Sequence, residues 1–451
     1  MSAFLPKLPP LPRSSSRYFL PGIKRWILIF MLGLVLVIFG VALLLELRPF
    51  TAISSFIWRA IRSIAQAMPA HISGPLILIA GAGLILGAIS LAIRTMFEAT
   101  IRDNSTINTA SPTSQTILKA LERAHRRGQG PKIVAIGGGT GLSTLLRGLK
   151  NYSSNICAIV TVGDDGGSSG RLREELNVVP PGDIRNCIVA LSDEEEVTTS
   201  LFQHRFQLGS LKGHSLGNLF LAALCDICGG DMSKATQVAS RILRSGGKVL
   251  PSSLEAVQLC AEFEDGSILE GESKIPEAGK KIKRIFMSRS IPALPEILTE
   301  IQEAELLILG PGSLYTSVIP NLLFPEITQA IRISKARKLY ICNLVQDKET
   351  QGYSLKDFIR ALEDHAGGKL IEAALLNEPQ SWQLGFGKPV PITSSDINSF
   401  PYLDIVVRPR LHDETGRHNP LRLARSIMQW FHQKQRQTGA VLRLETKLAA
   451  G

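Results

Sequence analysis

The sequence predicts a three-layer α/β domain with a mostly parallel sheet over residues 131–451, preceded by a two-helix transmembrane hairpin. Three features carry this expectation. Short β-branched runs stop at glycine-rich polar turns, helical periodicity resumes after the first of them, and two long charge-free stretches lie near the N-terminus.

The hairpin comes first in the chain. Trp26 to Leu45 and Pro75 to Ile93 carry no charge and are each close to the ~20 residues that span a bilayer. Lys7, Arg13, Arg17, Lys24 and Arg25 precede the first stretch. Arg94, Arg102, Lys119, Arg123, Arg126 and Arg127 follow the second. The positive-inside rule therefore puts residues 1–25, the C-terminus and the large domain in the cytoplasm, and Leu47 to Gly74 outside. Within that outer loop, Phe56 to Met68 reads as an interfacial amphipathic helix or a re-entrant turn. Residues 94–130 form a linker, rich in Ser, Thr and Asn, ending in a basic helix from Ile117 to Arg127.

Charge follows the same division. Residues 1–130 hold 14 Lys and Arg against 4 acids, leaving 36 against 35 for the rest, out of 50 and 39 in the whole chain. The excess belongs to the membrane end, and the domain lacks a basic stripe with interleaved aromatics, so nucleic acid is not expected as a partner. The six cysteines lie in apolar runs, and Cys225 and Cys228 lack a second pair, which favours core packing over zinc or redox chemistry.

In the domain, Lys132 to Ile136 leads into Gly137, Gly138, Gly139, Thr140 and Gly141, then a helical pattern from Leu142 to Leu149. Such a turn lets backbone N–H groups approach phosphate oxygens at a helix N-terminus, with Thr140 or Ser143 as a cap or hydroxyl donor. It matches neither the usual dinucleotide nor the Walker spacing. Ile156 to Val162 ends in a second loop, where Asp164 and Asp165 are candidates for Mg²⁺, a ribose hydroxyl or catalysis. Ser168 and Ser169 join the binding set there, and Arg171 suits a phosphate. Asp183 reads as a helix cap, with Arg185 and Asn186 beside it. His214 and Asn218 share a helix face, which makes His214 a further catalytic candidate.

Glu305 to Leu309 ends in Gly310, Gly312, Ser313 and Tyr315, with the Tyr315 ring offered to a base; Leu339 to Leu344 delivers Asn343. Arg417, ahead of a last helix from Leu421 to His432, suits a pyrophosphate. In an open parallel sheet these strand ends face one crevice. A β-rich insert is expected near 248–290, over the site, with Lys280 to Arg284 as a solvated basic face.

The runs IGGGTGLSTLLRGL (136–149), IVTVGDDGGSSGRL (159–172), PPGDIRN (180–186), LFQHRF (201–206), GHSLGNL (213–219) and ILGPGSLYTSVIPNL (308–322) resemble the bacterial gluconeogenesis factor family, a relative of 2-phospho-L-lactate transferase. The resemblance implies a Rossmann-like fold, a ligand such as UDP-N-acetylglucosamine or another nucleotide, and a role in cell shape and envelope synthesis under gluconeogenic growth. It implies no proven catalysis. Envelope-synthesis proteins are then the expected partners, and a homo-oligomer stays open. The transferase relatives use Mg²⁺ and a guanine nucleotide on loops matching Gly137 to Gly141 and Asp164-Asp165. The hairpin and the Ser381 to Ser395 stretch depart from the family pattern.

Overall fold

In the computed structural model the chain divides into two units, Met1–Ile117 and Leu118–Gly451. The structure describes residues 31–38, 75, 78–88, 90–91, 130–193, 195–379 and 387–449, with side chains of the last helix described only to 437.

In the first unit, residues 31–38 and 78–88 are helical. They approach closely at two glycines, where a Cβ on Gly33 would lie 3.1 Å from the Gly81 carbonyl oxygen. Met31, Leu32, Leu34, Val35, Ile38, Ile79, Leu84 and Leu86 are exposed. Among the described residues no helix is long and apolar enough to cross a membrane. The remaining parts of both expected spans, the outer loop and the linker with its basic helix lie outside the described residues, apart from Gly130 and short pieces of the second span.

The second unit is built on a seven-stranded sheet in the order β10-β9-β8-β7-β1-β2-β3, every pairing parallel. The strands are β1 (Ile133–Gly137), β2 (Ile156–Val160), β3 (Lys248–Pro251), β7 (Leu306–Leu309), β8 (Arg337–Ile341), β9 (Ala373–Asn377) and β10 (Asp404–Arg408). The central strands β1, β2 and β7 are buried along their whole length, which explains why they read as apolar runs rather than alternating ones.

Helices α1 (Gly139–Leu149), α2 (Gly167–Leu176), α3 (Pro181–Leu191), α4 (Glu195–Phe202), α5 (Leu216–Ile227) and α6 (Met232–Ile242) lie between β1 and β3. After the insert come α7 (Pro295–Glu303), α8 (Pro325–Ile333), α9 (Leu355–Ala366), α10 (Ser394–Asn398) and α11 (Pro420–Ala449). α1 packs against α3 and α11, whereas α7 packs on α8. Right-handed crossovers running outward from β1 in opposite directions put these two sets on opposite faces of the sheet. α9 shows how the sequence builds such a layer. Leu355, Phe358, Ile359 and Leu362 form its buried stripe, Ser354 and Asp357 close a capping box, and Gly367 ends it at φ +69°.

The insert is smaller than the sequence suggests. β4 (Leu259–Phe263), β5 (Ile268–Glu270) and β6 (Ile282–Met287) form an antiparallel sheet in the order β5-β4-β6, whereas residues 248–251 pair with β2 as the edge of the main sheet. A four-residue apolar strand has too little pattern to reveal which sheet it joins. β9 and β10 escape the sequence reading for the same reason. The last helix runs well past His432, to Ala449.

Candidate active site crevice

The chain starts at β1, builds outward to β3, then returns to lay β7 on the other side of β1. The strand order therefore reverses between β1 and β7, and a ligand crevice is expected beyond their carboxyl ends. Here the loops after β1, β2, β7 and β8 meet. Two pockets open there. One of about 300 Å³ is lined by Asp164, Ser168, Ser169, Asp183, Arg185 and Asn218, among others. The other, of about 190 Å³, includes Thr140, Gly312, Ser313, Asn343, Asp347 and Arg417.

The glycine turn is shaped by its neighbours. Gly139 sits at φ +63°, and a Cβ on Gly141 would strike the Pro311 carbonyl oxygen, so the turns after β1 and β7 can be this close only without side chains. The Gly139 N–H donates to Asp183 Oδ2 at 2.6 Å. That bond corrects the expected role of Asp183: Pro180 is the cap of α3, and Asp183 reaches across to the glycine turn. Burial and the nearby Asp164 push the Asp183 carboxyl up to about 6. Neither Thr140 nor Ser143 caps α1; Thr140 lines the smaller pocket, and Ser143 Oγ donates to the Thr140 carbonyl at 3.0 Å.

Behind the larger pocket lies a buried polar network. Arg185 Nη1 donates to Ser215 Oγ at 2.5 Å and Asn218 Oδ1 at 2.7 Å, and its Nη2 donates to Asn186 Oδ1 at 2.9 Å. Asn218 Nδ2 donates to Ser168 Oγ at 3.1 Å, and His214 Nδ1 lies 3.0 Å from the same hydroxyl. Burial, then Arg171, lowers the His214 pKa below the ordinary imidazole value. His214 therefore holds Ser168 in place rather than facing the pocket, and its catalytic candidacy is not supported by its position. Arg185 Nε is sealed from solvent without a partner.

Three other expected residues turn away. Asp165 accepts from the Ser273 N–H at 2.9 Å and from Gln258 Nε2 at 3.1 Å, which ties its loop to the insert. Arg171 Nη2 donates to the Lys212 carbonyl at 2.9 Å and braces the 203–215 loop instead of a phosphate. Tyr315 is 3% exposed, its hydroxyl 2.8 Å from that of Tyr353, so its ring is a wall and not a stacking platform. A tyrosine three residues past a turn can face either way, and nothing in its own neighbourhood of sequence decides which.

Residues missed by sequence include Arg205 on the larger pocket, Asp347 on the smaller, and two acids beside them. Glu349 Oε1 accepts from the Tyr315 N–H at 2.9 Å, while its Oε2 is buried without a partner. Burial, then Asp347, pushes Glu349 up to about 8. Glu272, from the insert, is pushed to about 8 by burial and by Asp164 and Asp183. Carboxylates that repel each other suit a divalent cation, although no group of three His, Cys, Asp or Glu among the described residues is arranged to hold one. Asp164 and Asp183 are the pair that fits, since Mg²⁺ is usually bound by one or two carboxylates with ligand phosphates and water completing the shell.

A parallel sheet, a glycine turn at its switch point and convergent polar loops define the class of open, doubly wound α/β proteins. Comparison narrows this. The profile of the 2-phospho-L-lactate transferase CofD family matches residues 133–384. The Bacillus subtilis gluconeogenesis factor is 54% identical over 253 residues, covering 55% of this chain and 80% of its own. A Nostoc relative, also named a gluconeogenesis factor, is 44% identical over 433 residues, 91% of each chain. A crystal structure of a Bacillus halodurans protein superposes with a TM-score of 0.63 at 44% identity, covering 66% of this chain and 99% of that one. The chain belongs to the gluconeogenesis factor family, within the wider CofD family.

Proposed function

We propose that the chain is a nucleotide-sugar-binding regulator that works at the cytoplasmic face of the plasma membrane. The observation that carries this reading is the convergence of the four strand-end loops at the switch point, with Asp183 holding the glycine turn from the α3 side. The two pockets together have the volume of an ordinary small-molecule site. A UDP-sugar such as UDP-N-acetylglucosamine would lay its diphosphate on the glycine turn and the α2 N-terminus, with Arg417 closing the smaller side. Envelope-synthesis proteins are the partners this reading suggests.

Calorimetry on the full chain with UDP-N-acetylglucosamine, NAD and GDP, with and without Mg²⁺, tests it. Saturable UDP-sugar binding without turnover is expected, and absence of binding would sink the reading. Gly139→Val should abolish that binding, because φ +63° strains a β-branched residue by ~1–2 kcal/mol and distorts the turn. The second reading is a Mg²⁺-dependent transferase, favoured by the Asp164 and Asp183 pair. Metal-dependent consumption of a nucleotide in the same titration would establish it over the first.

Membrane tethering is supported by the charge-free stretches, by the Gly33 and Gly81 approach and by the apolar exterior of the two described helical pieces. The Nostoc alignment, at 433 residues, extends well ahead of residue 131, so that extension is not peculiar to this chain. Fractionation after alkaline extraction tests it: the full chain should stay with membranes, and release by carbonate would remove the anchor.

A further inference from the structure

The arm that follows α4, residues 203–215, is tied down at its base and bare at its tip. The base is a short antiparallel hairpin: Arg205 bridges Ser215, the Phe206 N–H donates to the His214 carbonyl at 3.0 Å, and the Gly213 N–H donates to the Phe206 carbonyl at 2.8 Å. Arg205 Nη1 donates to the Gly213 carbonyl at 2.9 Å, and Arg171 Nη2, from α2, donates to the Lys212 carbonyl at 2.9 Å. The tip, residues 207–212, is exposed throughout. A tip held this way is presented in one place before anything meets it.

That tip is apolar. Leu208 is 85% exposed and Leu211 43%. The helix that runs into the arm has the same character. α4 packs through Thr198 and Phe202, the latter edge-on to Phe220 at 5.2 Å, and leaves Val197 and Leu201, one helical turn apart, exposed on its other side. Single exposed leucines are ordinary, but four large aliphatic residues on one helix face and the arm that continues it mark an interaction surface.

The charges around them indicate the partner. Glu196 stands next to Val197, and Glu175 lies one turn on from Arg171, on the α2 face that braces the arm. Both acids are exposed, as is Lys212 on the arm, and none of the three forms an ion pair among the described residues. A surface with unanswered charge of both signs beside apolar residues complements itself about a two-fold axis, each copy offering its base to the other's acids. An anionic bilayer would repel the glutamates, and a partner of one charge would leave part of the set unanswered.

We propose that the α4 face and the 203–215 arm form a dimer interface with a second copy of this chain. Leu208 and Leu211 of each arm cover Val197 and Leu201 of the other copy, and Lys212 faces the other copy's glutamates. The interface stands whether or not the crevice binds a UDP-sugar, because residues 207–212 line neither crevice pocket.

The test is light scattering on the full chain in mild detergent from about 1 to 100 µM, with bis-maleimide cross-linking of Ser210→Cys beside it. The native cysteines are buried, Cys228 only partly, so the parent chain serves as the cross-linking blank. A dimer is expected in that range, with a cross-link in Ser210→Cys well above the blank. Leu208→Glu with Leu211→Glu, both on the surface, should raise the dimer dissociation constant at least tenfold and abolish the cross-link without moving the urea midpoint. Ile333→Glu, at a residue 60% exposed on α8, should change neither association nor cross-linking. A monomer throughout the range, a cross-link no stronger than the blank, a dimer as tight in the double variant as in the parent, or equal weakening by Ile333→Glu would each overturn the proposal.

Discussion

The β2 loop with the first turn of α2, residues 163–171, and the loop after β7, residues 310–317, look alike as sequence: each follows a buried strand and is dense in glycine and hydroxyl residues. They do different work. The first presents Asp164, Ser168 and Ser169 to the larger pocket, backed by Asn218, Arg185 and His214. The second gives only Pro311, Gly312 and Ser313 to the smaller pocket and buries Leu314 to Ser317 beneath it. The decision is made by distant partners. The β2 loop meets a polar network from α3 and α5, whereas the β7 loop meets Tyr353, Glu349 and Asn321, which absorb its polar groups into the core.

The largest way to break this contrast is Arg185→Met. The change removes donors from Ser215, Asn218 and Asn186 at once, and hydrogen bonds to a buried charge are worth ~1.5–3 kcal/mol each before relaxation. Stability should fall by about 3 kcal/mol in urea denaturation, and nucleotide affinity by ~100-fold or more. Unchanged affinity in a folded variant would mean that the β2 loop does not present the phosphate side.

How far the sequence anticipated these loops follows from the range of the interactions. The glycine turn, the buried strands β1, β2 and β7, and the convergence of their ends are local signals combined with one topological rule, and they were legible. Asn343 and Arg417 line the smaller pocket from strand-end and loop positions that the sheet itself orients. Asp183 reads locally as a cap because its acceptor role depends on Gly139, 44 residues earlier. The orientation of Asp165 and Tyr315 escapes the sequence for the same reason: their partners Ser273 and Tyr353 come from elements whose docking no local pattern encodes. Glu272 belongs to the insert, and only its packing over the crevice makes it part of the acidic group.

A smaller effect sharpens the comparison through pH. Asp183 on the β2 side is raised to about 6, and Glu349 on the β7 side to about 8, each chiefly by burial. Such carboxyls bind their protons more tightly folded than unfolded, so their contribution to stability is complete below about pH 4 and is lost as pH rises through the folded values. Asp183→Asn keeps an acceptor for the Gly139 N–H but cannot ionise. The stability difference between the parent chain and this variant should therefore shrink from pH 4 to about 6 and then stay level, whereas Glu349→Gln should show the decline continuing to about 8. Urea midpoints across that range measure both. If the Asp164 and Asp183 pair holds a cation, Asp183→Asn also removes the Mg²⁺ dependence of nucleotide affinity.

The smallest effect expected is at Tyr315→Phe. The substitution keeps the ring, which packs edge-on against Tyr353 and His365, and deletes only the hydroxyl paired with Tyr353. The Tyr353 hydroxyl loses that partner, so about 1 kcal/mol of stability should be lost, within the ordinary worth of one hydrogen bond. Nucleotide affinity should not move, because the hydroxyl faces the core rather than the crevice. Tyr315→Leu extends the test by removing the ring itself. A drop in UDP-sugar affinity larger than the accompanying loss of stability would return the β7 loop to the role of a base-stacking surface and erase the difference between the two loops.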